Sequence, residues 1–320
     1  MEKLNLPPLL ILDFRVSVYI LLSYFEGIKE NYSKATQQKW LKAAWAIFIH
    51  RGFTGLPFTP STIVIADDAK PYWRSKYLEE RGFPAYKGGR KEKGHEWYEV
   101  AEAGKDYILD ANSNLNYLCF VGYEADDIAS ALVRIGAPRL NLLYTIDSDW
   151  QGLVNDGALK DYSIEELLTT EDLIDSTTVW TSQRHWQPRF RDEAGVRTHT
   201  LKRTKVEIDK PPEVWSSKVG KGDKADNLLP NSPIEVIDLL EPPSEFDLLK
   251  QKDKFPLIKE VAYSTVINSN FNHLTKAVEW FKHNGFTIPV YGFNQFPLKK
   301  VEKSLAILKN KHTIGTEKIK

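Results

Sequence analysis

Three short apolar runs in the first half of the chain lead straight into aspartate. Leu9–Phe14 reads LLILDF, Thr62–Ala66 opens TIVIADD, and Leu140–Ile146 opens LNLLYTIDSD, which places Asp13, Asp67 and Asp68, and Asp147 and Asp149 at the ends of the runs. Continuous apolar runs of this length suit strands covered on both faces, as in a parallel sheet. Val16–Phe25, Gln38–Phe48 and Ala125–Ile135 carry helical spacing between them, and this βαβ rhythm predicts an α/β sheet. A fourth apolar run, Tyr117–Val121, leads into GYEADDIAS with Glu124, Asp126 and Asp127. Ligands of open α/β sheets bind outside the carboxyl ends of the strands. The chain therefore aims four acidic clusters at one sheet edge.

One such cluster is adequately explained as a helix N-cap. Four at corresponding strand ends are not. Acid–base chemistry needs two carboxylates with separated pKa values, and at least seven converge here. All-oxygen, anionic donors suit hard cations such as Mg²⁺ or Mn²⁺. Two ions about 3.5–4 Å apart would clamp the attacking and leaving oxygens of a phosphodiester. GKGDKADN adds Asp223 and Asp226 at i, i+3, a spacing that turns both to one side of a helical turn.

The bulk composition is that of an ordinary soluble chain of 320 residues, with 43 basic and 43 acidic side chains, so net charge announces no nucleic-acid binder. Distribution says more. Lys70–Lys93 carries Lys70, Arg74, Lys76, Arg81, Lys87, Arg90, Lys91 and Lys93, interleaved with Tyr72, Trp73, Tyr77, Phe83 and Tyr86. Cations for phosphates and aromatics for unstacked bases are what single-strand binding requires, and Gly82, Gly88 and Gly89 predict a flexible loop. Ser182–Lys205 is a second basic stretch, read as a hairpin or long excursion able to grip duplex phosphates. Beyond Pro211-Pro212 the spacing predicts helices at Pro212–Val219, Pro233–Leu240, Ser244–Lys250, Phe255–Ser264, Leu274–His283 and Leu298–Lys309. A lone cysteine, Cys119, excludes an internal disulfide and a cysteine-rich zinc site and points to a reducing, cytoplasmic setting. The histidines lack metal-ligand spacing. No apolar run is long enough to span a bilayer.

The motifs LLILDF, IVIADDAKPYWR, YKGGR, GYEADDIA, LLYTIDSDWQGLV and GKGDKADN, in this order over residues 9–230, resemble the structure-specific 5′ nucleases. These are the flap endonucleases, the 5′-nuclease domains of bacterial DNA polymerases and the phage enzymes; the pattern is most similar to the ribonuclease H type of T-even bacteriophages. The resemblance implies a PIN-like 5′-nuclease fold: a central, mostly parallel sheet flanked by helices, with a helical C-terminal region. It divides the chain into a catalytic domain at 1–205, with an arch or clamp at about 70–93, and a helical DNA-binding domain at 206–320.

The resemblance also assigns roles. Asp13, Asp67, Glu124 and Asp126 are implied to hold the first metal; Asp127, Asp147, Asp149 and Asp223, with Asp226 nearby, hold the second. Lys87 would contact the scissile phosphate and Arg90 a flanking one, both with Tyr86 in the YKxxR motif. Arg81 or Arg74 would supply a further substrate contact, and Lys221 and Lys224 would touch nucleic acid. Where the family continues into glycine-rich turns that bind duplex and K⁺, this chain reads LLPNSPIEVIDLLEPP, without glycine, so the resemblance does not carry K⁺ over.

The expected activity is a Mg²⁺-dependent 5′-3′ exonuclease and flap endonuclease with ribonuclease H activity, removing RNA primers and flaps in replication, in the host cytoplasm if phage-encoded. The implied partners are flap, nicked and forked DNA and RNA–DNA hybrids, with a sliding clamp and a single-strand-binding protein as candidate associates, no membrane, and a monomer as default. The alternatives are a PIN-type single-strand endoribonuclease and a non-catalytic junction binder. A haloacid-dehalogenase-type phosphatase needs DxD after the first strand, where this chain has Asp13-Phe14-Arg15.

Overall fold

The computed structural model describes residues 6, 9–51, 62–110, 115–137, 139, 141–145, 147–153, 177–179, 188–191, 197–199, 211–266 and 271–286. Its centre is a five-stranded sheet with the order β3-β2-β1-β4-β5. The strands are β1 (Leu9–Asp13), β2 (Thr62–Ala69), β3 (Asn116–Val121), β4 (Asn141–Tyr144) and β5 (Thr177–Val179), every neighbouring pair parallel. Every carboxyl end therefore lies at the same edge, as the run of terminal aspartates predicts.

Alternation of side chains divides the core in two. Leu10, Leu12, Ile63 and Ile65 face a cluster built with α1 (Phe14–Asn31), α2 (Lys34–Arg51), α4 (His95–Leu109) and α8 (Phe271–His283). Leu9, Ile11, Val64 and Ala66 face the opposite way. They pack with α3 (Trp73–Glu79), α5 (Ala125–Arg134), a 3-10 turn at Ser148–Leu153, α6 (Pro211–Lys221) and α7 (Phe255–Ala262). Both clusters draw on residues beyond 205: Trp215, Val236 and Ile258 in the second, Leu274, Val278 and Phe281 in the first.

Phe14 opens a helix rather than ending a strand, because Asp13 accepts from Val16 N at 3.1 Å and caps α1. Gly104 lets α4 approach α2: a Cβ there would lie 2.5 Å from the Trp45 ring. The indole of Trp45 donates to the Val100 carbonyl at 2.8 Å across the same seam.

Two expected helices are shorter than their spacing suggests. Pro233–Leu240 and Ser244–Lys250 form only the 3-10 turns Ile234–Val236 and Leu248–Lys250. Asp238 accepts from Leu240 N and Glu241 N, and Asp247 from Leu249 N. Such local side-chain bonds compete with the helical ladder, and Pro242-Pro243 separates the pieces. Within 182–205, β6 (Pro188–Arg191) and β7 (Arg197–His199) form the expected antiparallel pair. The expected helix at 298–309 lies outside the described residues. Among the described residues, no helix is long and apolar enough to cross a membrane.

Candidate metal centre

The register Asp13↔Ala66 puts Asp13 on the same sheet face as Ala66, and therefore as Asp68 two residues on. Asp13 Oδ2 accepts from Thr145 Oγ1 at 3.0 Å, and that hydroxyl accepts from Asp147 N at 3.0 Å, which ties the ends of β1 and β4 together. Asp68 Oδ1 accepts from Ala125 N at 2.9 Å, at the start of α5. The first turn of α5 then presents Asp126, whose Oδ1 accepts from the Trp150 indole at 2.6 Å. Asp147 Oδ1 accepts from Asp149 N at 3.0 Å. Asp126, Asp147 and Asp149 each offer one carboxylate oxygen, and these three lie within 4.8 Å of one another.

Their electrostatics are those of a crowded anionic basket. Burial, then Asp68 and Asp147, push the Asp13 carboxyl up to about 7. Burial and Asp147 raise Asp126 well above the carboxylate range. Burial and Asp147 also lift Asp149 to about 6, against the pull of Lys218. Glu124 is raised by burial, with Lys87 and Arg74 opposing. Among the described residues, Asp149 Oδ1 is buried with no hydrogen-bond partner. Oxygen donors held together against mutual repulsion, one of them orphaned, fit a hard divalent cation.

Two of the acids expected as metal ligands face elsewhere. Asp67, next to Asp68 in β2, points to the opposite sheet face. There it accepts from Tyr117 OH at 2.6 Å and pairs with Arg15 Nε and Lys105 Nζ, both at 3.3 Å. Strand alternation substitutes Asp68 for Asp67 in the basket. Asp127 is consumed by Arg74, which grips both its oxygens at 2.7 Å, and by the Trp73 indole and Glu124 N. Glu124 lies between Arg74 Nη1, at 3.0 Å, and Lys87 Nζ. Asp226 is likewise engaged: Arg90 and Lys218 pair with it and Tyr86 OH donates to it at 3.3 Å. Burial alone would raise Asp226, yet Lys218, Lys87 and Arg90 together hold it below the usual range.

The expected substrate contacts divide in the same way. Arg74 is 2% exposed and braces Glu124, Asp127 and the Val236 carbonyl from beneath, out of reach of a nucleic acid. Tyr72, Trp73, Tyr77 and Tyr86 are core residues, not a stacking platform, and Trp73 stacks on Phe246 with centroids 4.7 Å apart. The spacing Trp73/Tyr77 places both rings on one buried face of α3. Arg81, Arg90, Lys221 and Lys224 are exposed. Lys87 lies at the rim in the left-handed region, with φ 56°, a conformation that costs a non-glycine residue about 1 kcal/mol or more.

A clip holds Lys87 in that conformation. Its N–H donates to the Asp226 carbonyl at 2.8 Å, Asn227 Nδ2 to the Ala85 carbonyl at 3.0 Å, and Arg90 Nε to the Ala225 carbonyl at 3.0 Å. The 223–228 loop is closed by mutual Asp223 and Leu228 backbone bonds of 2.9 and 2.8 Å. It requires Gly222, at φ 73°, where a Cβ would meet the Leu228 carbonyl at 2.7 Å. The sequence names Asp68 among the converging acids, but the resemblance assigns the metal to Asp67 in its place; Lys218, whose Nζ lies 2.6 Å from Asp149 and 3.2 Å from Asp223, is missed altogether. Asp68 was findable from strand parity once the register was known. No sequence signal marks Lys218.

No family model and no curated protein matches the chain. Among solved structures it is similar to bacteriophage T5 5′-exonuclease with bound zinc ions, at 18% identity over 85% of this chain and 92% of that one, TM-score 0.41. It is also similar to a variant of the bacteriophage T5 flap endonuclease in a pseudo-enzyme–product complex with DNA and metal ions. That likeness is 16% identical over 93% of this chain and 98% of that one, with TM-score 0.38.

Proposed function

We propose that the chain is a divalent-metal-dependent structure-specific 5′ nuclease, acting as a 5′-3′ exonuclease and flap endonuclease on branched or nicked DNA and on RNA–DNA hybrids. The observation that carries the reading is the convergence of Asp126, Asp147 and Asp149, with Asp149 Oδ1 buried and unpartnered, beside Asp13 and Asp68. Bound by Asp13, Asp68, Asp126, Asp147, Asp149 and Asp223, two Mg²⁺ ions, or Mn²⁺ in their place, would supply the charge neutralisation and Lewis acidity that phosphodiester hydrolysis needs. Lys87, paired with Glu124, would hold the reacting phosphate by charge. Arg81, Arg90, Lys221 and Lys224 would hold flanking phosphates, so affinity falls with salt. Arg74 and Trp150 position Glu124, Asp127 and Asp126 without touching substrate.

In this reading residues 1–205 carry the chemistry and 206–320 add helical duplex contacts while contributing Asp223 to the basket. Removal of RNA primers and flaps during replication is the proposed task, with a sliding clamp and a single-strand-binding protein as associates. End-labelled flap, nicked and RNA-primed substrates, digested with Mg²⁺ and with EDTA, test it. Mg²⁺-dependent release from the 5′ end, leaving 5′-phosphates, is expected. Inertness toward all three substrates with Mg²⁺ and Mn²⁺ would overturn it.

A further inference from the structure

Lys218 has an unusual set of neighbours. Its Nζ lies 2.6 Å from Asp149 Oδ2, 3.0 Å from Asp226 Oδ2 and 3.2 Å from Asp223 Oδ2, three carboxylates from two separate segments. The side chain is 17% exposed. Helix α6 aims it. Trp215, one turn earlier and buried, donates its indole N–H to the Asp149 carbonyl at 3.1 Å and fixes the helix against that backbone. Asp226 has a second cation, Arg90. Among the described residues Asp149 has none; its Oδ2 faces Lys218 while its Oδ1 has no hydrogen-bond partner.

We propose that Lys218 is the resident counter-ion of this half of the acid set, and that a second divalent ion binds by displacing its ammonium from Asp149 and Asp223. The inference rests on the metal-nuclease reading and deepens it. An ammonium within 3.2 Å of three carboxylate oxygens occupies space that Mg²⁺, with ligands at about 2.0–2.1 Å, would need. Both cannot occupy it. A lysine suits the exchange, because its flexible four-carbon stem can withdraw a point charge without moving the helix. An arginine would grip a carboxylate bidentately and leave less readily.

Two consequences follow. Asp149, Asp223 and Asp226 stay gathered before the ion arrives, so their repulsion is already offset. The two ions also bind unequally: among the described residues no lysine makes an ion pair with Asp13 or Asp126, Lys87 acting on Asp126 only from its pair with Glu124, whereas the other ion competes with an ammonium in direct contact with its acids. Lys218 is thus a positioning residue that acts through the acids.

Amine-reactive labelling of the wild-type protein, read by mass spectrometry in EDTA, Mg²⁺ and Mn²⁺, tests the exchange. Lys218 labelling should rise at least fivefold on saturation with either ion, relative to the exposed Lys259 on α7. No rise would overturn the proposal. Calorimetric Mn²⁺ titration of Lys218→Met should show the second ion binding at least tenfold more tightly, the first unchanged, and the metal-free variant melting lower. Lys218→Arg should weaken the second ion. Unchanged or weaker second-ion binding in the methionine variant also overturns the exchange. If that variant fails to fold without metal, the wild-type labelling decides alone. Failure of the wild type to bind any divalent ion sinks the nuclease reading and the exchange with it. Two bound ions with Lys218 labelling unmoved sinks the exchange only.

Discussion

Asp67 and Asp68 are consecutive residues of one strand, and the molecule treats them in opposite ways. Asp67 is surrounded by donors: Arg15, Lys105, Tyr117 OH and the Asp68 N–H. Asp68 has Arg15 at 3.2 Å, Tyr72 OH and one backbone N–H, and it faces Asp13, Glu124 and Asp126, whose carboxyls it helps to raise. The first neighbourhood is complete as it stands. The second is short of positive charge. A folded chain seldom tolerates such a deficit at buried acids without a use for it, so the balance of donors around each carboxylate is what would separate a structural acid from a metal ligand here.

The largest effect that tests this contrast belongs to the deficient side. Asp126→Asn or Asp149→Asn should cut cleavage of a labelled flap by roughly a thousandfold, while flap binding in a gel shift stays within about threefold. Near-normal turnover in either would remove the metal role. Next comes the pair itself. Asp68→Asn should lower turnover about a hundredfold, within the range seen when groups around a metal are lost, and Asp67→Asn far less. Asp67→Asn should instead cost about 1–3 kcal/mol in urea unfolding, because Lys105 loses its anion and Arg15 keeps only Asp68. Equal kinetic losses from the two would break the comparison.

A third, smaller effect is thermal and carries a definite sign. Asp13 and Asp149, lifted to about 7 and about 6, favour the folded state when protonated. Their contribution is complete below the ordinary carboxylate range and is lost as pH rises through 6 and 7. In EDTA the melting temperature should therefore fall by several degrees between pH 5 and pH 8, and Mg²⁺ should cancel most of that fall. A flat profile in EDTA would mean that the basket is already neutralised. Asp226 and Asp247, held low, work oppositely and lose their contribution only as pH drops through and below the ordinary range. The smallest effect belongs to Lys105→Ala. Lys105 is nearly half exposed and pairs with Asp67, so the change should cost under about 1 kcal/mol and leave turnover unaltered.

Much of this was legible in the sequence. Continuous apolar runs such as LLIL and TIVIA announce buried parallel strands, and aspartates after each announce an acidic edge. Parity was not legible. In IVIADD only the cross-strand partner of Ala66 decides which aspartate shares a face with Asp13, and that partner lies more than fifty residues away in the chain. Charge interleaved with aromatics in 70–93 suggested an exposed binding loop, yet Trp73 and Tyr77 repeat at helical spacing and turn inward, taking Arg74 with them. Asp127 follows from the same blindness, since its partner Arg74 lies 53 residues earlier. Proline and aspartate in 233–250 gave the right region and the wrong element, because side-chain bonds from Asp238 and Asp247 replace the helical ladder.

The contact of Gly104 with Trp45 reaches further than packing. With no room for even a methyl group, residue 104 acts as a gauge block that sets how closely α4 is seated against α2. Lys105 is the next residue, and its ammonium is one of the two that quiet Asp67. A side chain at 104 would have to shift the Trp45 ring or α4 itself, and α4 is the helix that carries Lys105 to Asp67, so a position remote from the acidic edge is mechanically joined to the charge behind it.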